Sequence, residues 1–137
     1  VKKIKIFTML TVLLITSLGL FSVENAHAVS SGSQTKGGIT AKVYTDKNSY
    51  KSNETIYATG EKTAAGGTVY YDIRIWKKTS NGWEQVGIEY GSTSGKTSQV
   101  KFKPGVGTYT VMFKIFTDSK MDNWVGDWET TEFKVTN

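Results

Sequence analysis

The chain is 137 residues long, has no cysteine and a single histidine, and carries a formal net charge of +5. The lack of cysteine excludes disulfides, thiol nucleophiles and a lipid-modified cysteine anchor. His27 falls in a segment expected to be removed, so serine–histidine catalysis and histidine-ligated zinc are excluded from the rest; Lys2, Lys3 and Lys5 share that segment, and the remaining charge is too slight to argue for nucleic acid.

Residues 1–28 run from this basic start through an apolar stretch, Met9 to Phe21, to the small-x-small sequence Ala26-His27-Ala28. That order describes a secretory signal peptide cleaved after Ala28, because a spanning helix needs about 20 apolar residues. No second apolar segment or sorting motif follows, so the sequence predicts a secreted, extracellular protein without stable membrane insertion after cleavage. Residues 29–38, rich in Ser and Gly, are expected as a flexible tail. Residues 39–137 form one domain, large enough for two packed layers.

Within that domain the first strand is expected at 39–45, with Ile39, Ala41 and Val43 on one face, and the second at 54–59, with Ile56 and Ala58 inward. The third, 68–77, alternates cleanly: Val69, Tyr71, Ile73 and Ile75 face one way, and Tyr70, Asp72, Arg74 and Trp76 the other. Ser80-Asn81-Gly82 reads as a hairpin turn with positive φ at Asn and Gly. The fourth strand, 83–90, then has Val86, Ile88 and Tyr90 inward. The fifth, 98–103, buries Val100 and Phe102. Pro104, Gly105 and Gly107 make a tight turn into the sixth, 109–116, where Tyr109, Val111, Phe113 and Ile115 share a face. The seventh, 127–136, places Phe133 and Val135 inward. No window outside residues 1–28 shows a helical period. Seven short strands separated by turns predict an all-β, seven-stranded antiparallel β-sandwich after a signal peptide. Gly107-Thr108-Tyr109 has the form of a tyrosine corner, in which a Tyr hydroxyl bonds backbone a few residues upstream.

Two stretches carry a resemblance. Thr45-Asp46-Lys47-Asn48-Ser49-Tyr50-Lys51-Ser52-Asn53-Glu54-Thr55-Ile56 resembles the T-D-K-x-x-Y-x-x-G-E-x-I lead-in to the second strand of many extracellular immunoglobulin-like modules. Asn53 stands where Gly is usual, and Asn also tolerates the left-handed conformation. Pro104-Gly105 followed by Gly107-Thr108-Tyr109-Thr110-Val111 is similar to the P-G-x-Y-x-V of fibronectin-type and bacterial immunoglobulin-like sandwiches, with two extra residues inserted. The chain thus resembles secreted immunoglobulin-like or fibronectin-type modules of Gram-positive, Bacillus-like type. The resemblance implies a sandwich and a compartment but no activity. Proteinase inhibitors of bacilli share a related layout.

Two regions have the chemistry of a binding site. Tyr70, Trp76, Trp83, Met112, Phe116 and Trp128 are expected on one outward sheet face, where grouped aromatics mark an interaction patch if nothing covers them. The loop 117–128 combines Asp118, Asp122, Asn123 and Asp127 with Trp124 and Trp128. Indoles stack on the apolar faces of sugars and carboxylates accept sugar hydroxyls; the competing reading is turn chemistry for the acids and packing for the rings. Trp124 is expected to bind and Trp128 to pack, because Trp128 falls within the strand register and Trp124 does not. The same acids have the ligand type for Ca²⁺ but lack EF-hand spacing. Glu61, Asp72, Glu84, Glu89, Glu129 and Glu132, all expected in solvent, have no spacing that selects a catalytic pair. A Lys42–Asn137 isopeptide is disfavoured because the acid-bearing motif it needs is missing after Tyr109. The sequence therefore predicts a non-catalytic binding module without metal or cofactor. Its partner is an extracellular or cell-wall polysaccharide or an extracellular protein surface, and the alternatives are an extracellular protease inhibitor and a small glycan-active enzyme.

Overall fold

The structure, a computed structural model, describes residues 28–137, so the expected signal peptide lies, but for Ala28, outside the described residues. Strands β1 (Gln34–Lys36), β2 (Ile39–Thr45), β4 (Ile56–Lys62) and β7 (Val100–Phe102) form one sheet in the order β1-β2-β4-β7. Strands β3 (Ser49–Lys51), β5 (Val69–Thr79), β6 (Gly82–Thr93), β8 (Gly107–Phe116), β9 (Trp124–Glu129) and β10 (Phe133–Thr136) form the second. Its order is β3-β10-β8-β5-β6, with β9 also on β8.

The core lies between the sheets. Val69, Tyr71, Ile73 and Ile75 of β5 and Tyr109, Val111, Phe113 and Ile115 of β8 are all buried, as strict alternation demands of a strand with one solvated face. The Phe113 ring packs edge-on to Tyr71, with centroids 5.4 Å apart. It also lies so close to Gly60 of the facing sheet that a Cβ there would come within 2.7 Å of it. The Tyr109 hydroxyl donates to the Gly105 carbonyl at 2.9 Å, closing the corner. Gly105 has φ 88°, and the ring of Pro104 fixes its own φ at the position just before. A Cβ at Gly107 would sit 3.0 Å from that hydroxyl, so glycine leaves the room the corner needs.

Among the described residues the strands number ten rather than the expected seven. Two of the additions, β1 and β3, are three residues long, too short to show a period. The third comes from a break in the predicted strand 127–136, which divides into β9 and β10. At the break Thr130 N–H donates to the Val111 carbonyl at 2.9 Å, and Val111 N–H donates to the Thr130 hydroxyl at 3.1 Å. A side chain thus replaces one ladder acceptor. The pairing is antiparallel throughout, except that β3 runs parallel to β10.

Residues 29–38, expected as a flexible tail, are held against the sandwich. Val29 is buried, its carbonyl accepts from Thr45 N–H at 2.9 Å, and the Gln34 carbonyl accepts the Trp128 indole N–H at 2.9 Å. The segment supplies hydrogen-bond partners to the β2 edge and to a buried indole, each of which needs one.

In β6 the expected parity is reversed beyond a bulge. Ile75 pairs with Gly87 but Trp76 pairs with Gln85, which leaves Val86 as the extra residue. Gly87, Glu89 and Gly91 then take the inward register, and Val86 and Tyr90 are exposed by 41% and 65%. Asn81 and Asn53 are not at positive φ; at the hairpin Gly82 alone is, at 129°, and the non-glycine residue in that region is Met121 at 59°.

The Thr45–Ile56 stretch closes on itself. Asp46 Oδ1 accepts from the Tyr50 hydroxyl at 2.6 Å and from Tyr57 N–H at 3.2 Å, while Glu54 accepts from Lys51 N–H at 2.7 Å and pairs with Lys47.

Candidate functional site

The outer face of the six-stranded sheet is set by register. Lys78 lies opposite Trp83, Trp76 opposite both Gln85 and Thr110, Arg74 opposite Met112, and Phe116 between Tyr70 and Trp124. Directly opposed residues share a face, so three indoles lie on one surface. Each has a cation at its ring: Arg74 6.0 Å from the Trp76 centroid, Lys78 5.9 Å from Trp83 and Lys114 5.8 Å from Trp124. Each cation is itself held by a carboxylate. Arg74 forms a two-pronged pair with Asp72 at 2.8 and 2.7 Å, Lys78 meets Glu132 at 3.2 Å, and Lys114 lies 4.0 Å from Asp127. The bond to Asp72 raises the Arg74 guanidinium above its ordinary pKa.

Trp124 is 59% exposed, yet its indole N–H donates to Asp127 Oδ1 at 2.9 Å. The ring is therefore anchored at one edge while most of its surface faces water. Farther along the face, Trp76, Trp83, Thr110, Met112, Glu129 and Glu132 line a depression of about 400 Å³. Among the described residues, the Trp76 indole N–H is the buried side-chain donor that finds no acceptor. An unmet buried donor costs about 1–3 kcal/mol.

Two expected members of the patch are placed differently. Trp128 is fully buried, because register sets it opposite Phe113 on the inner face. The break at residues 130–132 changes the phase, so that even-numbered Trp128 and odd-numbered Phe133 both point inward. Phe116 shares the outer face but is only 8% exposed, between Tyr70 and Trp124 in register. The loop acids divide as well. Asp118 is committed to the turn, accepting from Asp122 N–H at 3.0 Å and Asn123 N–H at 2.9 Å. Asp122 and Asn123 are exposed beside Trp124. Asp127 alone of the acids in this loop reaches an indole, through the Trp124 bond.

Two of the acids expected in solvent are buried. Asp72 is 2% exposed beneath Arg74, and Glu61, 3% exposed, takes the Tyr44 hydroxyl at 2.8 Å and Lys96 at 3.5 Å. Among the described residues, no group of three or more His, Cys, Asp or Glu side chains could hold a metal ion. Asn137, just past β10, lies by Lys51 and Ser52, at 3.4 Å from each, beside the sheet opposite the one that carries Lys42.

The cations at the indoles were missed in the sequence, although one was accessible. A two-residue turn at Ser80-Asn81 pairs residue 79 with 82 and therefore 78 with 83, which sets Lys78 beside Trp83.

The family model of the YqgA MG2 macroglobulin domain matches residues 26–136, nearly all of the described chain, and accords with the immunoglobulin-like two-sheet architecture. No curated protein and no solved structure matches the chain.

Proposed function

The chain belongs to the YqgA MG2 macroglobulin domain family, and from that premise we propose that it is a secreted, non-catalytic module that binds an extracellular or cell-wall polysaccharide of a Gram-positive bacterium through the outer face of the six-stranded sheet. The observation that carries this reading is Trp124, exposed by 59% but fixed through Asp127 and flanked by Lys114. A tethered ring loses little rotamer freedom on binding, so more of the stacking energy remains as affinity. A pyranose set on the ring would meet the Asp127 carboxylate and the Lys114 ammonium at its rim, where its hydroxyls need an acceptor and a donor. The depression by Trp76 and Trp83 offers a second position along the same face, suited to a polymer that presents repeated units. Secretion rests on the pattern of residues 1–28. The non-catalytic reading is supported by the buried carboxylates Asp72 and Glu61, which are tied into ion pairs.

Cosedimentation with purified, insoluble Gram-positive cell-wall polysaccharide tests the reading. Trp124→Ala is expected to weaken binding by more than 1 kcal/mol, as a central aromatic contact does. The unfolding midpoint should stay within about 0.5 kcal/mol, as for an exposed site. Unchanged binding, or a badly destabilised variant, removes Trp124 as the site. The protease-inhibitor alternative calls for one exposed rigid loop. Its candidates are 117–126, wound onto Asp118, and 91–97, fastened by the Lys62 ammonium to the Ser94 carbonyl at 3.2 Å and by Thr97 N–H to the Gly60 carbonyl at 2.9 Å. Residual protease activity titrated with the purified protein separates it from the polysaccharide reading.

A further inference from the structure

A second open feature lies at the far margin of the same sheet. Strand β6 is twelve residues long and pairs with β5 alone. Along its outer side the backbone N–H and C=O groups have no ladder partner among the described residues, which makes them a template for another strand. Trp83, Val86 and Tyr90, three of the five exposed large hydrophobic side chains among the described residues, belong to this one strand. Strand β7 ends the facing sheet, and the two margins enclose a cleft of about 510 Å³ lined by Tyr71, Glu89, Tyr90, Ser92, Gln99 and Lys101. At Gly91 a Cβ would lie 2.5 Å from the Tyr71 hydroxyl, so at this inward position β6 offers bare backbone to the cleft.

We propose that β6 is a strand-addition site for an extended segment of a protein partner that carries Lys or Arg at alternate positions. Main-chain pairing supplies the affinity in such complexes, and side chains at every second position supply the selectivity. The charge of the partner follows from the strand itself. Glu84 and Glu89 are the charged residues of β6, both are exposed, and it has no Lys or Arg. Pairing with a second copy would bring an acidic strand against an acidic strand, with no counter-charge from either, and like charges opposed across a ladder destabilise it. Glu89 takes the inward register, and the bulge at Val86 disturbs the ladder; both blunt indiscriminate edge pairing. A basic side chain set against Glu84 or Glu89 along the strand converts that deterrent into a contact. The site is separate from Trp124 and does not rest on the polysaccharide reading.

Selection from a displayed library of random twelve-residue peptides tests this. The expected winners carry Lys or Arg at alternate positions. A synthetic winner should protect β6 amides from hydrogen exchange, a readout that needs no variant. The double variant Glu84→Lys/Glu89→Lys should bind it at least tenfold more weakly with an unchanged unfolding midpoint, and Trp124→Ala should bind it as the parent does. The proposal is overturned if no peptide class is enriched, if the winners protect another strand, if the double variant binds equally well, or if sedimentation shows the free protein pairing with itself through β6.

Discussion

Tyr109 and Trp128 are the two largest fully buried side chains that also donate a hydrogen bond to backbone. Removing the Tyr109 hydroxyl leaves the Gly105 carbonyl without its side-chain donor. Tyr109→Phe is accordingly expected to lower stability by about 1–3 kcal/mol, read as a fall in the denaturant midpoint at constant slope. An unchanged midpoint would sink the corner as a stabilising device. This residue was legible in the sequence because everything it needs is local: Pro104, Gly105 and Gly107 lie within five positions of it. That Trp128 packs was legible from its place in the strand register, but the face it packs on was not. Its direction depends on Thr130, whose hydroxyl stands in for a ladder carbonyl, and nothing in the spacing of apolar residues announces such a substitution.

For whole strands the same contrast holds. Strands β5 and β8 were readable because they are long, central and bounded by turn residues, so their alternation survives intact. Strand β6 has the length but lies at an edge, where exposed apolar residues give no parity and a bulge shifts the phase midway. The three-residue β1 has no pattern at all and is defined by what it covers. Truncation of residues 29–38 removes buried Val29, the pairing along β2 and the acceptor of the Trp128 indole. At roughly 1.5–3 kcal/mol for a buried Val and about 1 kcal/mol for a hydrogen bond, a loss of about 2–4 kcal/mol is expected. A truncated protein that unfolds at the parent midpoint would show the segment to be an ornament on a self-sufficient sandwich.

Across the molecule, three tyrosines link stability to alkaline pH. Burial raises the hydroxyls of Tyr50, Tyr71 and Tyr109 above the ordinary value of 10.0, and the bond to Asp46 raises Tyr50 further. The folded chain keeps these protons at a pH where the unfolded chain releases them. Their contribution is complete below pH 10 and declines as pH climbs beyond it, through the raised folded values. Denaturant midpoints should hold level from pH 8 to about 10 and then drop steeply; a level midpoint to pH 12 would contradict the burial of these hydroxyls. The division of the indoles adds a practical consequence. Trp128 is sealed from solvent and Trp124 stands open to it, so one emits toward the blue and the other toward the red. Intrinsic fluorescence therefore offers two channels: quenching of the red component by a bound sugar, with the blue component steady, distinguishes occupancy from unfolding in a single unlabelled sample.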